Sequence, residues 1–116
     1  MKAVILVSHG SHSPKAKKEI EHLVKSLKEK SKISVFEFAF LEIERPTIPE
    51  GIALCVQKGA GEVIILLNFL NSGRHVDLDI PSIVEQAKTK YPTVRFRITK
   101  PVGQHEGIVK LFLDMI

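Results

Sequence analysis

The chain has 116 residues, and its 17 Lys and Arg side chains against 13 Asp and Glu give a formal net charge of +4. Its composition, 44% hydrophobic and 26% charged, predicts one globular domain over residues 1–116 and excludes a disordered or fibrous chain. No apolar run approaches the roughly 20 residues that span a bilayer, and the first residues lack a secretory cleavage site. The single cysteine, Cys55, excludes an internal disulfide. We therefore expect a cytoplasmic protein with no membrane partner.

The predicted strands are short apolar runs that occur at regular intervals along the chain. They are "AVILVS" (3–8), "ISVFEFAF" (33–40), "VIILLNFL" (63–70) and "TVRFRIT" (93–99). The third run is apolar almost throughout, which indicates burial on both faces of a sheet. The fourth alternates apolar residues with Arg95 and Arg97, which predicts a strand at the sheet edge with one wet face.

An amphipathic helix is predicted after each strand. The first begins at Ser13 and Pro14 and runs to about residue 30, with seven lysines between residues 14 and 32. Thr47 and Glu50 have the spacing of a capping box for the second helix, which ends near Gly59. A third helix is expected to start at residues 79–81, capped by Asp79. The last helix places Ile108, Leu111, Phe112 and Met115 on one face.

Four strand–helix units predict the fold class, an α/β protein with three layers (α/β/α) and a four-stranded parallel sheet with four helices, of flavodoxin-like type. Ligands of such sheets bind beyond the carboxyl ends of the strands. The segments at that edge are "HGSHS", "LEIERP", "NSGRHVDLD" and "KPVGQH". They are expected to bring His9, Glu42 and His75 together, with His105 as a weaker candidate.

His9, Glu42 and His75 are candidate metal ligands. Imidazole suits Co, Ni, Fe and Zn, and a carboxylate adds charge compensation. Three protein ligands leave coordination positions open for a substrate. The alternative is that both histidines are ordinary loop residues, although their shared position at strand ends favours a site.

Two further features accompany these candidates. Gly10 and Gly73 would let the backbone turn tightly beside the ligands. "HGSHS" precedes a helix and so offers a weak anion-binding pattern, which includes Ser11 and His12. Cys55 falls in mid-helix and is expected to be a buried small hydrophobic residue.

Three segments make the sequence resemble a known family. "LVSHGSHSP", "FLEIERPTIP" and "FLNSGRHVDLDIP" resemble the signature segments of the short sirohydrochlorin cobaltochelatases, the small CbiX type of class II tetrapyrrole chelatases. The resemblance covers nearly the whole chain, and "HGS" with "G-x-H-x-x-x-DIP" in this order is specific. It implies a chelatase-like half-domain in which the family's metal-binding histidines match His9 and His75 and its carboxylate matches Glu42.

The resemblance also implies a function. Such enzymes insert a divalent metal into sirohydrochlorin without ATP, so the metal would be a substrate (cobalt foremost, nickel or iron next) and no organic cofactor is expected. The catalytic residues would be His9, His75 and Glu42. Arg74 and Arg45, with Ser11, His12 and Gly73, are candidate contacts for the anionic macrocycle. Longer members carry two such units in one chain, so a homodimer is expected.

This chain departs from the family pattern at two positions. His12 stands where the family often has Arg, and Arg45 stands where it often has an acid. The histidine-rich insertion that some short members carry after the third helix is absent, because "KTKYPTVRF" leads directly into the fourth strand.

Three other functions compete with this interpretation of the sequence. A non-catalytic metal or tetrapyrrole carrier would use the same ligands. A histidine phosphatase would need an Arg directly before the His of "HG", where this chain has Ser8. A nucleic-acid module is disfavoured because the lysine-rich run has no interleaved aromatic residues, so the run is expected to be a solvated helix face.

Overall fold

The structure, a computed structural model, describes all 116 residues. Its elements are β1 (Lys2–Ser8), α1 (Pro14–Lys30), β2 (Val35–Phe40), α2 (Ile48–Gln57), β3 (Glu62–Leu67), a π-helical turn (His75–Asp79), α3 (Ile80–Lys90), β4 (Arg95–Pro101), a 3₁₀ turn (Val102–Gln104) and α4 (Gly107–Asp114). The four strands form one parallel sheet in the order β2-β1-β3-β4. The predicted α/β class, the parallel sheet and its four helices are confirmed.

The sheet is built around β1 and β3, the two strands that the apolar runs mark most strongly. All of β1 from Ala3 to Ser8 is buried, since helices cover both of its faces. The main core packs alternate β1 side chains, among them Ile5 and Val7, against Ile52 of α2 and Val84 of α3. β4 lies at the edge, as its alternating pattern predicts.

The second helix begins as its sequence indicates. The Thr47 hydroxyl accepts a hydrogen bond from the Glu50 backbone N–H, and the Glu50 carboxylate accepts one from the Thr47 backbone N–H. The predicted capping box is confirmed. Cys55 is fully buried in this helix, as expected, and burial raises the pKa of its thiol to about 12.

One predicted boundary differs from the structure at the end of the third strand. β3 ends at Leu67, although the apolar run continues to Leu70, which is largely exposed. α3 begins at Ile80, within the predicted residues 79–81, but the π-helical turn from His75 leads directly into it. Asp79 therefore has a helical backbone, with φ −69° and ψ −47°, and its side chain caps nothing. The predicted capping role of Asp79 is wrong, because an N-cap residue needs an extended backbone.

The last helix is the least integrated element. α4 forms where its periodicity predicts, and its main packing within the chain is against the preceding 3₁₀ turn. Ile108 is half-buried, but six apolar side chains of α4 and the residues that follow are 57–99% exposed: Val109, Leu111, Phe112, Leu113, Met115 and Ile116. No helix in the structure is long and apolar enough to span a bilayer.

Candidate metal centre

The β1–β2 ladder continues past the ends of both strands and sets His9 beside Glu42. The Leu41 N–H donates to the Ser8 carbonyl at 2.9 Å, and the Glu42 N–H donates to the His9 carbonyl at 3.1 Å. These two residues, 33 positions apart in the sequence, are therefore placed by backbone bonds and not by their side chains alone. The result is the juxtaposition that the strand-end rule predicts.

Gly10 makes this close approach feasible. Its φ is +109°, a conformation that side-chain-bearing residues rarely adopt, and a Cβ at this position would lie 2.0 Å from the Glu42 carbonyl oxygen. The expected role of Gly10 beside the ligands is thus accounted for by a positive φ and a backbone contact. Gly73 differs, because no atom lies within 4 Å of the Cβ it would carry.

A strained turn follows Glu42. Ile43 has a φ of +74°, and the Glu44 N–H donates to the Glu42 carbonyl at 2.8 Å, which together define a γ-turn of the rare positive-φ kind. A β-branched residue in this conformation costs of order 1–3 kcal/mol, and such strain is typical of functional sites. The turn lies directly after Glu42, one of the predicted ligands.

His75 enters from the loop after β3 on the π-helical turn. Its Nδ1 lies 2.8 Å from Asp79 Oδ2 and its Nε2 lies 3.9 Å from Glu42 Oε1. π-helical turns occur frequently at functional sites. The end of β3 is tied to β1, since the Asn68 N–H donates to the Val7 carbonyl at 2.9 Å and the Asn68 amide donates to Ser8 Oγ.

The three predicted ligands converge. One ligand atom from each of His9, Glu42 and His75 lies within 4.8 Å of the others, and His9 Nε2 is 2.6 Å from Glu42 Oε1. The two imidazole rings are 5.3 Å apart and tilted by 59°. His9 Nε2 and Glu42 Oε1 are at hydrogen-bond distance, so an ion bound by both would replace this bond with two metal–ligand bonds.

The site is open to solvent. The side chains of His9 and His75 are each 46% exposed and that of Glu42 is 49% exposed. Two imidazoles and one carboxylate suit borderline first-row divalent ions, and three protein ligands leave positions free. An exposed three-ligand site can accept an ion from water and present it to a large planar partner.

Glu44 is a neighbouring residue that the sequence did not single out. It lines a cavity of about 250 Å³ beside His9, together with Glu19 of α1. Glu44 Oε2 is buried and makes no hydrogen bond within the protein. The sequence does place Glu44 two residues after Glu42 in "FLEIERP". It gives no means of telling which of these two acids faces the predicted ligands and which faces the cavity.

The other predicted site residues surround the cluster without joining it. Ser11 Oγ accepts a hydrogen bond from the Ser13 N–H, and His12 is exposed. Arg74 is exposed at the start of the π-helical turn, one residue before His75. A role for Ser11, His12, Gly73 or Arg74 in holding a substrate stays a prediction.

Arg45 is directed elsewhere. Its guanidinium is bonded to the Glu50 carboxylate on the surface of α2. The Arg45 hydrogen bond, with the backbone bond from Thr47, lowers the pKa of Glu50 to about 2. A substrate carboxylate would have to compete with Glu50 for this side chain, and the role of Arg45 also stays a prediction.

His105 does not join the metal group. The group comprises His9, Glu42 and His75 only, and His105 Nδ1 instead accepts a hydrogen bond from the Gly107 N–H at 2.9 Å. His105 thus lies at the start of α4, where the sequence placed it. The loop after β4 contacts the loop after β3, because the Gly103 N–H donates to the Phe69 carbonyl.

The fold and the cluster define a class, an α/β protein with an open site of two histidines and one carboxylate at the carboxyl edge of a parallel sheet. A family model named CbiX matches residues 3–116. The chain therefore belongs to the CbiX family, and the resemblance found in its sequence is confirmed.

Known proteins similar to the chain agree with this assignment. It is 35% identical over 113 residues to the chloroplastic sirohydrochlorin ferrochelatase of Arabidopsis thaliana, covering 97% of this chain and 50% of the relative. It is 36% identical over 112 residues to the sirohydrochlorin cobaltochelatase of Priestia megaterium, covering 96% and 36% respectively. The chain thus spans half or less of these two curated relatives.

A solved structure shows the same architecture. The sirohydrochlorin chelatase SirB from Bacillus subtilis subspecies spizizenii, determined in complex with cobalt, superposes with a TM-score of 0.89 at 33% identity. The match covers 98% of this chain and 49% of the SirB chain. The similarity to SirB extends over the whole four-stranded unit.

Proposed function

We propose that the chain is a sirohydrochlorin chelatase that inserts a divalent metal into sirohydrochlorin without ATP. Cobalt is the first candidate, and nickel or iron are the next. The observation that carries the proposal is the convergence of His9, Glu42 and His75 within 4.8 Å at an open edge of the sheet. The names of the two relatives, a ferrochelatase and a cobaltochelatase, support the reaction class and leave the metal open.

The chemistry follows from the ligand set. Insertion exchanges one divalent cation for two pyrrole protons, so the site must release a metal and accept protons. His9 and His75 suit delivery because neutral imidazoles bind first-row ions without the strength of a thiolate. Once the ion has moved to the macrocycle, each Nε2 has a free lone pair and can act as a general base for a pyrrole proton. Glu42 is half exposed and would pass protons to solvent.

The substrate is an anionic tetrapyrrole ringed with carboxylates, and basic side chains near the cluster would hold its rim. Arg74 is the best-placed cation because it is exposed and adjacent to His75. Ser11, His12, Gly73 and Arg45 complete the proposed contact set. No organic cofactor, nucleic acid or membrane is required by this reaction, and a cytoplasmic location stays a prediction.

The test is metallation of sirohydrochlorin followed by absorbance, with Co²⁺, Ni²⁺ and Fe²⁺ in parallel. Wild type should turn over repeatedly, and His75→Ala should lose about a hundredfold or more of the rate. His22→Ala is the matched control, since His22 is exposed on α1 and outside the metal group. Tight metal or macrocycle binding without acceleration would overturn the enzyme and favour the carrier.

We also propose that the functional form is a homodimer that uses α4. The exposed apolar side chains of α4 lie together rather than singly on the surface. Large contiguous apolar patches of this kind mark interaction sites. A groove of about 500 Å³ beside the start of α4 is lined in part by Leu66, Ile98 and Val102 and offers a seat for a partner helix. This chain covers 50% and 36% of the two longer relatives described above, which supports a second copy as the occupant.

The dimer is tested by light scattering after size exclusion. Wild type should show twice the 13.0 kDa of one chain. Phe112→Glu, at a position 57% exposed, should shift the mass to one chain because burying a charge in an apolar interface is costly. Lys110→Gln on the same helix should leave the dimer intact. A wild-type mass of one chain at micromolar concentration would contradict the proposal.

A further inference from the structure

Asp79 has no structural duty that explains its side chain. Its backbone is helical and its carboxylate caps no helix. Its one side-chain partner is the His75 ring, with Asp79 Oδ2 at 2.8 Å from His75 Nδ1. The Asp79 side chain is 45% exposed, so burial does not hold it there.

The contact decides which nitrogen of His75 carries the proton. A neutral imidazole has one N–H and one lone pair, and an ionised carboxylate can only accept hydrogen bonds. A bond to Asp79 therefore requires the proton on Nδ1 and leaves the lone pair on Nε2. The Nε2 atom is the one that faces Glu42 Oε1 at 3.9 Å, inside the metal group.

We propose that Asp79 is a positioning residue that holds His75 in its Nδ1–H tautomer and aims the Nε2 lone pair at the shared ligand site. The statement about the ligand site rests on the proposed function, whereas the tautomer does not. Carboxylates that accept the second N–H of a metal-binding histidine fix ring orientation and raise ligand basicity.

His9 provides an internal comparison. Its Nδ1 has only a backbone acceptor, the Gly10 carbonyl at 3.4 Å, at the long limit for a hydrogen bond. Both histidines turn Nε2 towards Glu42, but the side-chain contact that orients each ring is made by a different nitrogen. His9 is held at Nε2, 2.6 Å from Glu42 Oε1, whereas His75 is held at Nδ1 by the charge-assisted bond to Asp79. Of the two imidazoles, His75 is the one whose Nδ1 is held by a carboxylate, which leaves its Nε2 lone pair free.

The π-helical turn supplies a matched control. Asp77 lies in the same turn and is exposed, and its carboxylate makes no hydrogen bond or ion pair. Replacing Asp77 removes the same charge from the same turn without touching His75. An effect of Asp79→Ala that Asp77→Ala does not share therefore comes from the contact and not from net charge.

The experiment is a long-range ¹H–¹⁵N correlation of the histidine rings in the metal-free protein at pH 8.5, because only a neutral imidazole has two tautomers to distinguish. His75→Ala assigns the His75 signals by their loss. Wild type and Asp77→Ala should show a protonated Nδ1 and an unprotonated Nε2 for His75. Asp79→Ala should move the population towards the Nε2–H form. Asp79→Asn should restore the wild-type pattern, because its amide oxygen can accept the same bond.

A Co²⁺ titration of the same variants extends the test to the ligand site. Asp79→Ala should weaken Co²⁺ binding about 10–100-fold, the usual effect of losing such a partner, and Asp77→Ala should not. A wild-type His75 with its proton on Nε2, or a tautomer unchanged in Asp79→Ala, would overturn the positioning role. The tautomer could shift as expected while the protein fails to metallate sirohydrochlorin. That outcome would support the positioning role of Asp79 and contradict the proposed chelatase activity.

Discussion

Replacing Gly10 with alanine is expected to lower the free energy of unfolding by about 2–4 kcal/mol and to weaken the metal site without removing a ligand. Two independent features produce this effect. The φ of +109° is strained for any residue with a Cβ, and the new methyl group would meet the Glu42 carbonyl oxygen at 2.0 Å. Relief requires the segment that carries Glu42 to move away from His9.

Chemical denaturation and a Co²⁺ titration of the same samples measure the two consequences of Gly10→Ala. Gly73→Ala is the matched control, because Gly73 also lies beside a candidate ligand but its Cβ would enter open space. The control should unfold within about 0.5 kcal/mol of wild type. A Gly10→Ala protein with wild-type stability and wild-type Co²⁺ affinity would show that the β1–β2 edge does not need this backbone contact.

The architecture could be predicted because the local residue patterns and the order of the elements along the chain indicate the same fold. Near-continuous apolar runs marked the two central strands, and alternation with Arg95 and Arg97 marked the edge strand. Thr47 and Glu50 form their capping box from local spacing alone. The strand-end rule then brought His9, Glu42 and His75 to one edge, because parallel strands end on the same side.

The features that could not be predicted depend on contacts between distant segments. Nothing in "FLEIERP" indicates that Ile43 adopts a positive φ, because this conformation disfavours β-branched residues and is imposed by the surrounding backbone. Asp79 has the sequence context of a cap, but its bond to His75 arises from a helical turn that starts four residues earlier. Helical periodicity located α4 without showing that its apolar face stays uncovered in one chain.

The combination of a fixed backbone edge and exposed side chains suits the proposed metal site, which would have to both hold and release an ion. Backbone hydrogen bonds between the segments after β1 and β2 fix the positions of His9 and Glu42. The ligand side chains themselves remain about half exposed. In the proposed function, the backbone would specify where the ion sits and the exposed side would be free for the acceptor that removes it.

Glu42→Gln is expected to reduce Co²⁺ affinity by at least the ~10–100-fold that loss of an outer partner costs, because Glu42 is the one charged ligand of the group. The substitution keeps the side-chain volume, so the free energy of unfolding should change little at this half-exposed position. Turnover of sirohydrochlorin metallation should fall with affinity at limiting metal. It should remain low at saturating metal if Glu42 also carries protons away from the histidines.

A metal titration at low and saturating Co²⁺, each with the metallation rate, separates these two contributions of Glu42. Glu21→Gln on α1 is the control, since Glu21 is exposed and outside the metal group. Full recovery of the rate at saturating Co²⁺ would limit Glu42 to charge compensation, because every ion-loaded site would then react normally. Unchanged affinity in Glu42→Gln would show that the two imidazoles bind the ion without the carboxylate, even though Glu42 Oε1 lies 2.6 Å from His9 Nε2.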